Sequence, residues 1–344
     1  MKRKISIFLV MCMIVTVFAG CGNSNVSPSD TSNKEATDAV IKLKIGHVLN
    51  SDSPFHAGAL HFAELIEEKS GGMLQAEVFP SALLGNDREL AEGLQLGTVD
   101  MAVTATAPVS GFSPTLQVFD LPFLFNDAEH AYKVLDGELG DQILDEFHEA
   151  SGIVGLAFWE NGFRHFTNGK RPIKTADDTK GLKIRVQEIS SHIDYWKNIG
   201  CSPTPMAWTE VYTALQQGTV DGQENPVQTI YTQKIYEVQK YISLTYHCYA
   251  PAIIMISQNA YDKLSPEHQV IVKEAAREAA AFERNFIYEL ESGAIDEMSA
   301  LGVDIVKPED IDIESFRAAA APIHQKYGDL LGVTELLEKI KAAD

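Results

Sequence analysis

The chain repeats a short segment of itself. Leu94, Gln95, Gly97, Thr98, Val99 and Asp100 return as Leu215, Gln216, Gly218, Thr219, Val220 and Asp221, an offset of 121 that also pairs Glu89 with Glu210. Each copy reads as a helix end, a glycine that closes it, and entry to a strand. Duplication implies two lobes of similar build with a cleft between them, although chance reuse of a common helix-to-strand turn gives the same string. The length of 344 residues agrees with two lobes, because single cores stop growing at roughly 250 to 300 residues.

The rest of the pattern sets the class as α/β. IKLKIGHV (residues 41 to 48) alternates apolar and polar positions as a half-buried strand does. A helix follows over residues 56 to 72, stopping at Gly71 and Gly72, then a strand over 74 to 80, a helix over 87 to 96 and a strand over 99 to 106. Beyond residue 150 the alternation returns with IVGLAFW, LKIRV and a helix from about 189 to 198, and residues 241 to 257 are strand-rich. Ser265 and Pro266 then open a helix that runs to about Leu301. At 1.5 Å per residue it would be roughly 52 Å long and would span both lobes. Two helices broken at Gly293 are the alternative.

The amino terminus is an address. Lys2, Arg3 and Lys4 precede an apolar run from Ile5 to Ala19, too short to span a bilayer as a stable helix, so residues 1–20 read as a secretory signal peptide. The run ends in Phe18, Ala19, Gly20 and Cys21, which resembles a bacterial lipobox with Cys21 as the lipidated residue. A plain signal peptide containing a cysteine also fits. Residues 21–40 then form a polar tether, and the folded part starts near residue 40. Of the four cysteines, Cys201 and Cys248 remain in the fold. A disulfide between them is allowed outside the cytoplasm but is not indicated by spacing, and both read as small buried hydrophobes.

Charge narrows the function. Removing Lys2, Arg3 and Lys4 with the signal leaves 25 of the 28 basic residues against 48 acidic ones, a mature charge of −23. So acidic a surface excludes a nucleic-acid partner. Between residues 164 and 185 the sign reverses, with Arg164, Lys170, Arg171, Lys174, Lys180, Lys183 and Arg185 against only Asp177 and Asp178. This island is a candidate anion site, or else a solvated face that pairs with acidic neighbours. Alternation in LKIRV puts Lys183 and Arg185 on the face opposite Leu182, Ile184 and Val186. Arg185 lies near the strand's carboxyl end, where open α/β sheets bind ligands, and its planar fork matches a carboxylate. Downstream, Trp208 precedes a helix and Gly222 and Pro226 bracket Gln223, Glu224 and Asn225. A tryptophan beside amides suits a sugar or organic acid; core packing explains it equally well.

Catalytic and metal signatures are missing from the sequence: there is no HExxH, GxSxG, Walker A loop or GxGxxG after a strand. A hydrolase of the same α/β build would need a nucleophile beside a base, or a metal. No enzyme activity, cofactor or metal is therefore expected.

ENGFRHFTNGKRPI, GLKIRV and SPTPMAWTEVYTALQQGTVDGQENP with EVQKY after it resemble the solute-binding subunits of tripartite ATP-independent periplasmic (TRAP) transporters, the DctP-type family. GALHFAELIEEKSGG and LLGNDRELAEGLQLGTVDMAV are similar to that family's first lobe, so the resemblance runs from residue 41 to about 300. It implies a two-lobed periplasmic-binding-protein (type II) fold with a central cleft, a long helix spanning both lobes, and hinge closure over an organic anion passed to a membrane permease. The lobes would be 41–162 with 251–290, and 163–250 with 291–344. The resemblance places the principal carboxylate-binding arginine on Arg185 and a second on Arg164. It also puts a ligand-touching Asn225 and Trp208 in the second lobe, with Asp87, Thr106 and His47 facing the ligand from the first. The expected ligand is a sugar acid such as glucuronate or galacturonate, with C4-dicarboxylates second. The expected protein is an extracytoplasmic, lipid-anchored monomer, and a co-receptor presenting its ligand to a sensor kinase would read the same way.

Overall fold

The computed structural model describes residues 40–343. The expected signal peptide, Cys21 and the tether to residue 39 lie outside the described residues, among which no helix is long and apolar enough to cross a membrane. In chain order the first elements are β1 (Ile41–Gly46), α1 (Pro54–Lys69), β2 (Leu74–Phe79), α2 (Asp87–Leu96) and β3 (Met101–Ala105). Three helices, α3 (Thr106–Val109), α4 (Ala128–Leu135) and α5 (Glu138–Ser151), lead to the long strand β4 (Ile153–Asn168). Next come β5 (Lys183–Val186), α6 (Ser190–Ile199), β6 (Ser202–Pro205), α7 (Trp208–Gln216), β7 (Gly222–Pro226) and α8 (Val227–Thr232). The chain closes with β8 (Tyr241–Ser257), α9 (Gln258–Tyr261), α10 (Pro266–Ala300), β9 (Asp304–Val306), α11 (Ile313–Leu331) and α12 (Thr334–Lys341).

The strands form one sheet in the order β2-β1-β3-β8-β4-β7-β5-β6, with β9 pairing β8. β1 lies parallel between β2 and β3, and β5 lies parallel between β6 and β7. Each half is thus a β-α-β-α-β unit with its first strand in the middle, and the two units face each other across the antiparallel pair β8 and β4. The repeated sequence is this repeated structure. Gly97 and Gly218 take the same left-handed turn, at φ 69° and 70°, and the next residue closes it: Thr98 donates to the Gly93 carbonyl and Thr219 to that of Ala214, both at 2.9 Å.

β4 and β8 carry the fold from one half to the other. Both are buried along nearly their whole length, so neither shows the alternation that marks a half-exposed strand, and β4 extends well past the IVGLAFW segment that the sequence marks. Their pairing shifts register at Gly155/Ala157, Glu160/Gly162 and Arg164/Phe166. At the middle shift Gly162 has φ 108°, a conformation open to glycine alone at low cost.

α10 is a single helix of 35 residues, unbroken at Gly293. Pro266 at its start has no N–H to satisfy, and the Ser265 hydroxyl accepts from the His268 N–H. It packs on α1 and β4 in the first half and on α8 and β9 in the second. Buried Ala275, Ala276, Ala279 and Ala280 allow close approach, and the indole of Trp159 donates to the Ala276 carbonyl at 2.9 Å. Further along, Ala294 and Met298 join a second core with Val211, Ile230 and Ile242. Cys201 and Cys248 are buried and free, with no bridge between them.

Candidate functional site

Where β3, β5 and β7 end, both halves wall a narrow cavity. The position follows from topology, because parallel strands point their carboxyl ends, and the loops and helix starts that follow them, into the crevice between the units. Ala105 closes β3, Arg185 and Asn225 come from β5 and β7, Asp87 begins α2 and Trp208 begins α7. The start of α2 is held rigidly: the Asn86 side chain accepts from the Glu89 N–H and the Glu89 carboxylate from the Asn86 N–H, a complete capping box. An apolar wall of Val48, Leu49, Phe55 and Pro108 completes one part of the lining.

Arg185 is the one basic side chain among the described lining residues, and it is buried. Its Nε and Nη2 donate to the Met206 carbonyl at 2.9 and 2.7 Å, and its guanidinium carbon lies 5.7 Å from the centroid of the Trp208 ring. One edge of the fork is thereby anchored, leaving the Nη1 and Nη2 edge for a carboxylate. Burial, with Arg164 nearby, lowers its pKa to about 10 against the opposing pull of Glu224 and Asp87, so it stays charged. Burial pushes Asp87 up to about 7, opposed by Arg185. Asn225 donates to the Gln223 Oε1 at 2.5 Å.

Four of the seven residues expected at the site therefore meet around one cavity: Arg185, Asn225, Trp208 and Asp87. The structure places the other three outside its lining. Arg164 is fully buried against Glu224: Nη2 donates to one carboxylate oxygen at 2.8 Å, Nε to the other, and Nη2 also to the Glu224 carbonyl at 2.5 Å. His247 Nε2 lies 3.1 Å from the same carboxylate. Burial alone would raise the pKa of Glu224, but Arg164 and His247 outweigh it and hold the carboxyl well below its ordinary range. Thr106 is occupied as well, its hydroxyl 2.8 Å from an Asp120 carboxylate oxygen and 3.2 Å from the Pro251 carbonyl. Finally, His47 contacts His56 ring to ring, Nε2 to Nδ1 at 3.1 Å, and burial lowers its pKa to about 3, so it is neutral.

The basic island does not converge on one point. Lys170 pairs with Asp221, Lys180 with Asp177, and Arg171 donates to the carbonyls of Asp178 and Lys180. Of the seven cations only Arg185 reaches the cavity.

Sequence reasoning missed Asn161, Gln187 and Thr229, all in the lining and all buried. A spacing signal existed for two of them. Gln187 is two residues beyond Arg185 along the strand direction, and Thr229 is four beyond Asn225 where β7 passes into α8. Outside that lining, Asn50 after β1 donates to the Thr232 carbonyl at 2.8 Å and accepts from Gln233 Nε2 at 2.8 Å. These two bonds tie the first half to the end of α8.

Comparison with known proteins identifies the family. The profile of bacterial extracellular solute-binding protein family 7, DctP, matches residues 45–329. The chain is 38% identical over 281 residues to the 2,3-diketo-L-gulonate-binding periplasmic protein YiaO of Escherichia coli (strain K12), covering 82% of this chain and 85% of the relative. It is 34% identical over 310 residues to the C4-dicarboxylate-binding periplasmic protein DctP of Rhodobacter capsulatus, covering 88% and 91%. A TRAP periplasmic solute-binding protein from Polaromonas sp. JS666, solved bound to D-erythronate, superposes with a TM-score of 0.84 at 42% identity, covering 88% of this chain and 98% of that one. The chain belongs to the DctP family of bacterial extracellular solute-binding proteins, the solute receptors of TRAP transporters.

Proposed function

We propose that this receptor captures a sugar acid in the cavity around Arg185 and delivers it to the membrane subunits of a TRAP permease. The observation that carries this reading is the placement of a single buried guanidinium, anchored on one edge by Met206 and backed by Trp208, in a cavity otherwise lined by neutral side chains and Asp87. One carboxylate satisfies one fork, and the remaining polar groups match hydroxyls. Asn225 and Trp208 contact the ligand with Arg185. Arg164 acts from behind through Glu224, and His47 and Thr106 support the first-half wall. Closure brings the lobes 41–162 with 251–290 and 163–250 with 291–344 together, and is driven by contacts that form only when both meet.

The name of the Rhodobacter capsulatus relative supports C4-dicarboxylates as the second reading. A thermal-shift screen of uronates, aldonates and dicarboxylates separates them: sugar acids should raise the melting temperature most, and stabilisation by dicarboxylates alone would reverse the order. Outside the described residues, Cys21 is the proposed site of lipidation, which would hold a monomeric receptor at the outer face of the cell membrane. Metabolic labelling with a fatty-acid analogue, lost in Cys21→Ser, tests that anchor.

A further inference from the structure

Gln187 and Thr229 carry polar atoms that the protein leaves unanswered. Both line the cavity that contains Arg185, and they are only 5% and 2% exposed. No described residue hydrogen-bonds to the side-chain oxygen of Gln187 or to the Thr229 hydroxyl. Leaving buried polar atoms without partners costs free energy in the empty protein, which an apolar residue of the same shape would avoid. A ligand that supplies the partners recovers that cost. Nearby Asp87 sets the charge balance, since it interacts electrostatically with Arg185 and faces the same space. One cation and one acid leave no place for a second carboxylate, because its charge would be desolvated with no basic partner and with Asp87 close by.

We infer that Gln187 and Thr229 are specificity-determining residues, which with Asp87 select a ligand bearing one carboxylate and several hydroxyls and reject α,ω-dicarboxylates. The inference rests on the reading that Arg185 holds the ligand carboxylate. Hydroxyls both donate and accept, so they pair with an amide, a threonine hydroxyl and an acid alike. A site built to bond hydroxyls discriminates strongly against an analogue that lacks them, because the buried groups then stay unpaired.

Calorimetric titration of the full-length protein tests this with three hydroxy acids (D-erythronate, galactonate and glucuronate), with succinate as the dicarboxylate and butyrate as the hydroxyl-free monocarboxylate. The tightest hydroxy acid should bind at least about 100-fold more strongly than succinate or butyrate. Thr229→Val and Gln187→Leu should each weaken that acid about tenfold and leave butyrate unchanged, with Thr229→Ser close to the unmodified protein. Asp87→Asn should narrow the gap between hydroxy acid and succinate about tenfold. Succinate binding as tightly as every hydroxy acid, no hydroxy acid binding at all, or Thr229→Val weakening butyrate equally would overturn the inference. Arg185→Ala binding all five probes unchanged would instead overturn the carboxylate reading beneath it.

Discussion

The Asp100 carboxylate accepts the backbone N–H of Lys44 at 3.0 Å, so the last residue of the repeated segment clamps the central strand of its own half. Asp221 does the same to Lys183 at 2.9 Å, 121 residues later. The repeat therefore encodes a joint: a left-handed glycine ends the helix, and an aspartate then ties the next strand to its neighbour. Asp100→Ala and Asp221→Ala should each destabilise the protein by about 1 kcal/mol. Because the two joints lie in different halves, the double variant should lose close to the sum of the two. Urea unfolding measures this, and a double-variant loss far from additive would mean the joints are not independent.

Glu224 should be the most costly single charge to remove. It faces Arg164 and His247 with both carboxylate oxygens engaged, and Glu224→Gln leaves a buried guanidinium without a counter-charge. A loss of about 3–5 kcal/mol is expected in denaturant titrations at pH 7. The folded-state pKa of Glu224 is depressed, so its contribution is present above the unfolded value near 4.5 and is lost as pH falls. The gap between the unmodified protein and Glu224→Gln should accordingly shrink on acidification below about pH 4. A gap that stays constant down to pH 3 would contradict the assignment.

Asp87 runs the opposite way. Burial raises its folded-state pKa to about 7 from the ordinary carboxyl value of 3.8, so burying the ionised form destabilises the empty protein as pH rises from about 4 to 7. Asp87→Asn should melt at the same temperature as the unmodified protein near pH 4 and higher at pH 8. The expected gain is on the order of 1–2 kcal/mol, after the favourable field of the α2 amino terminus is set against burial. Equal melting temperatures at pH 8 would show that Asp87 is not a strained ligand-facing acid.

Trp208 holds its ring 5.7 Å from the Arg185 guanidinium. Removing it should weaken ligand binding about tenfold, the effect of a partly desolvated cation–π contact of roughly 1–1.5 kcal/mol. Trp208→Phe keeps a ring face and should lose less than Trp208→Ala. Calorimetry in which both variants bind like the unmodified protein would reduce Trp208 to core packing.

The legible parts of this protein are those in which one face meets solvent. β1 shows its alternation, α2 its closing glycine and α10 its Ser265–Pro266 start in the sequence, and each lies within a few residues of where those signals place it. β4 and β8 are buried on both faces, so their hydrophobicity carries no phase, and their full length emerges only from pairing with each other. At the site, Arg185 is marked by sign and by its place at a strand end. Arg164 has the same sign, but its pairing with Glu224 depends on β4 lying beside β7, where Arg164 is opposite Pro226 and Phe166 opposite Glu224. Neutral Gln187 and Thr229 offer no charge contrast, so their spacing from Arg185 and Asn225 is the one sequence hint, and the folded cavity gives it meaning.

The central claim is that Arg185 binds the carboxylate of a sugar acid in this cavity. Calorimetric titration of the best-binding sugar acid into the unmodified protein, Arg185→Ala and Arg185→Lys tests it most directly. Losing one partner of a buried charge pair costs about 2–5 kcal/mol, a loss of roughly 30-fold to several thousand-fold in affinity. Arg185→Lys should also fail, because a compact ammonium lacks the planar fork that presents two parallel donors to a carboxylate while its other edge bonds Met206. Affinity retained within about threefold in Arg185→Ala would contradict the account.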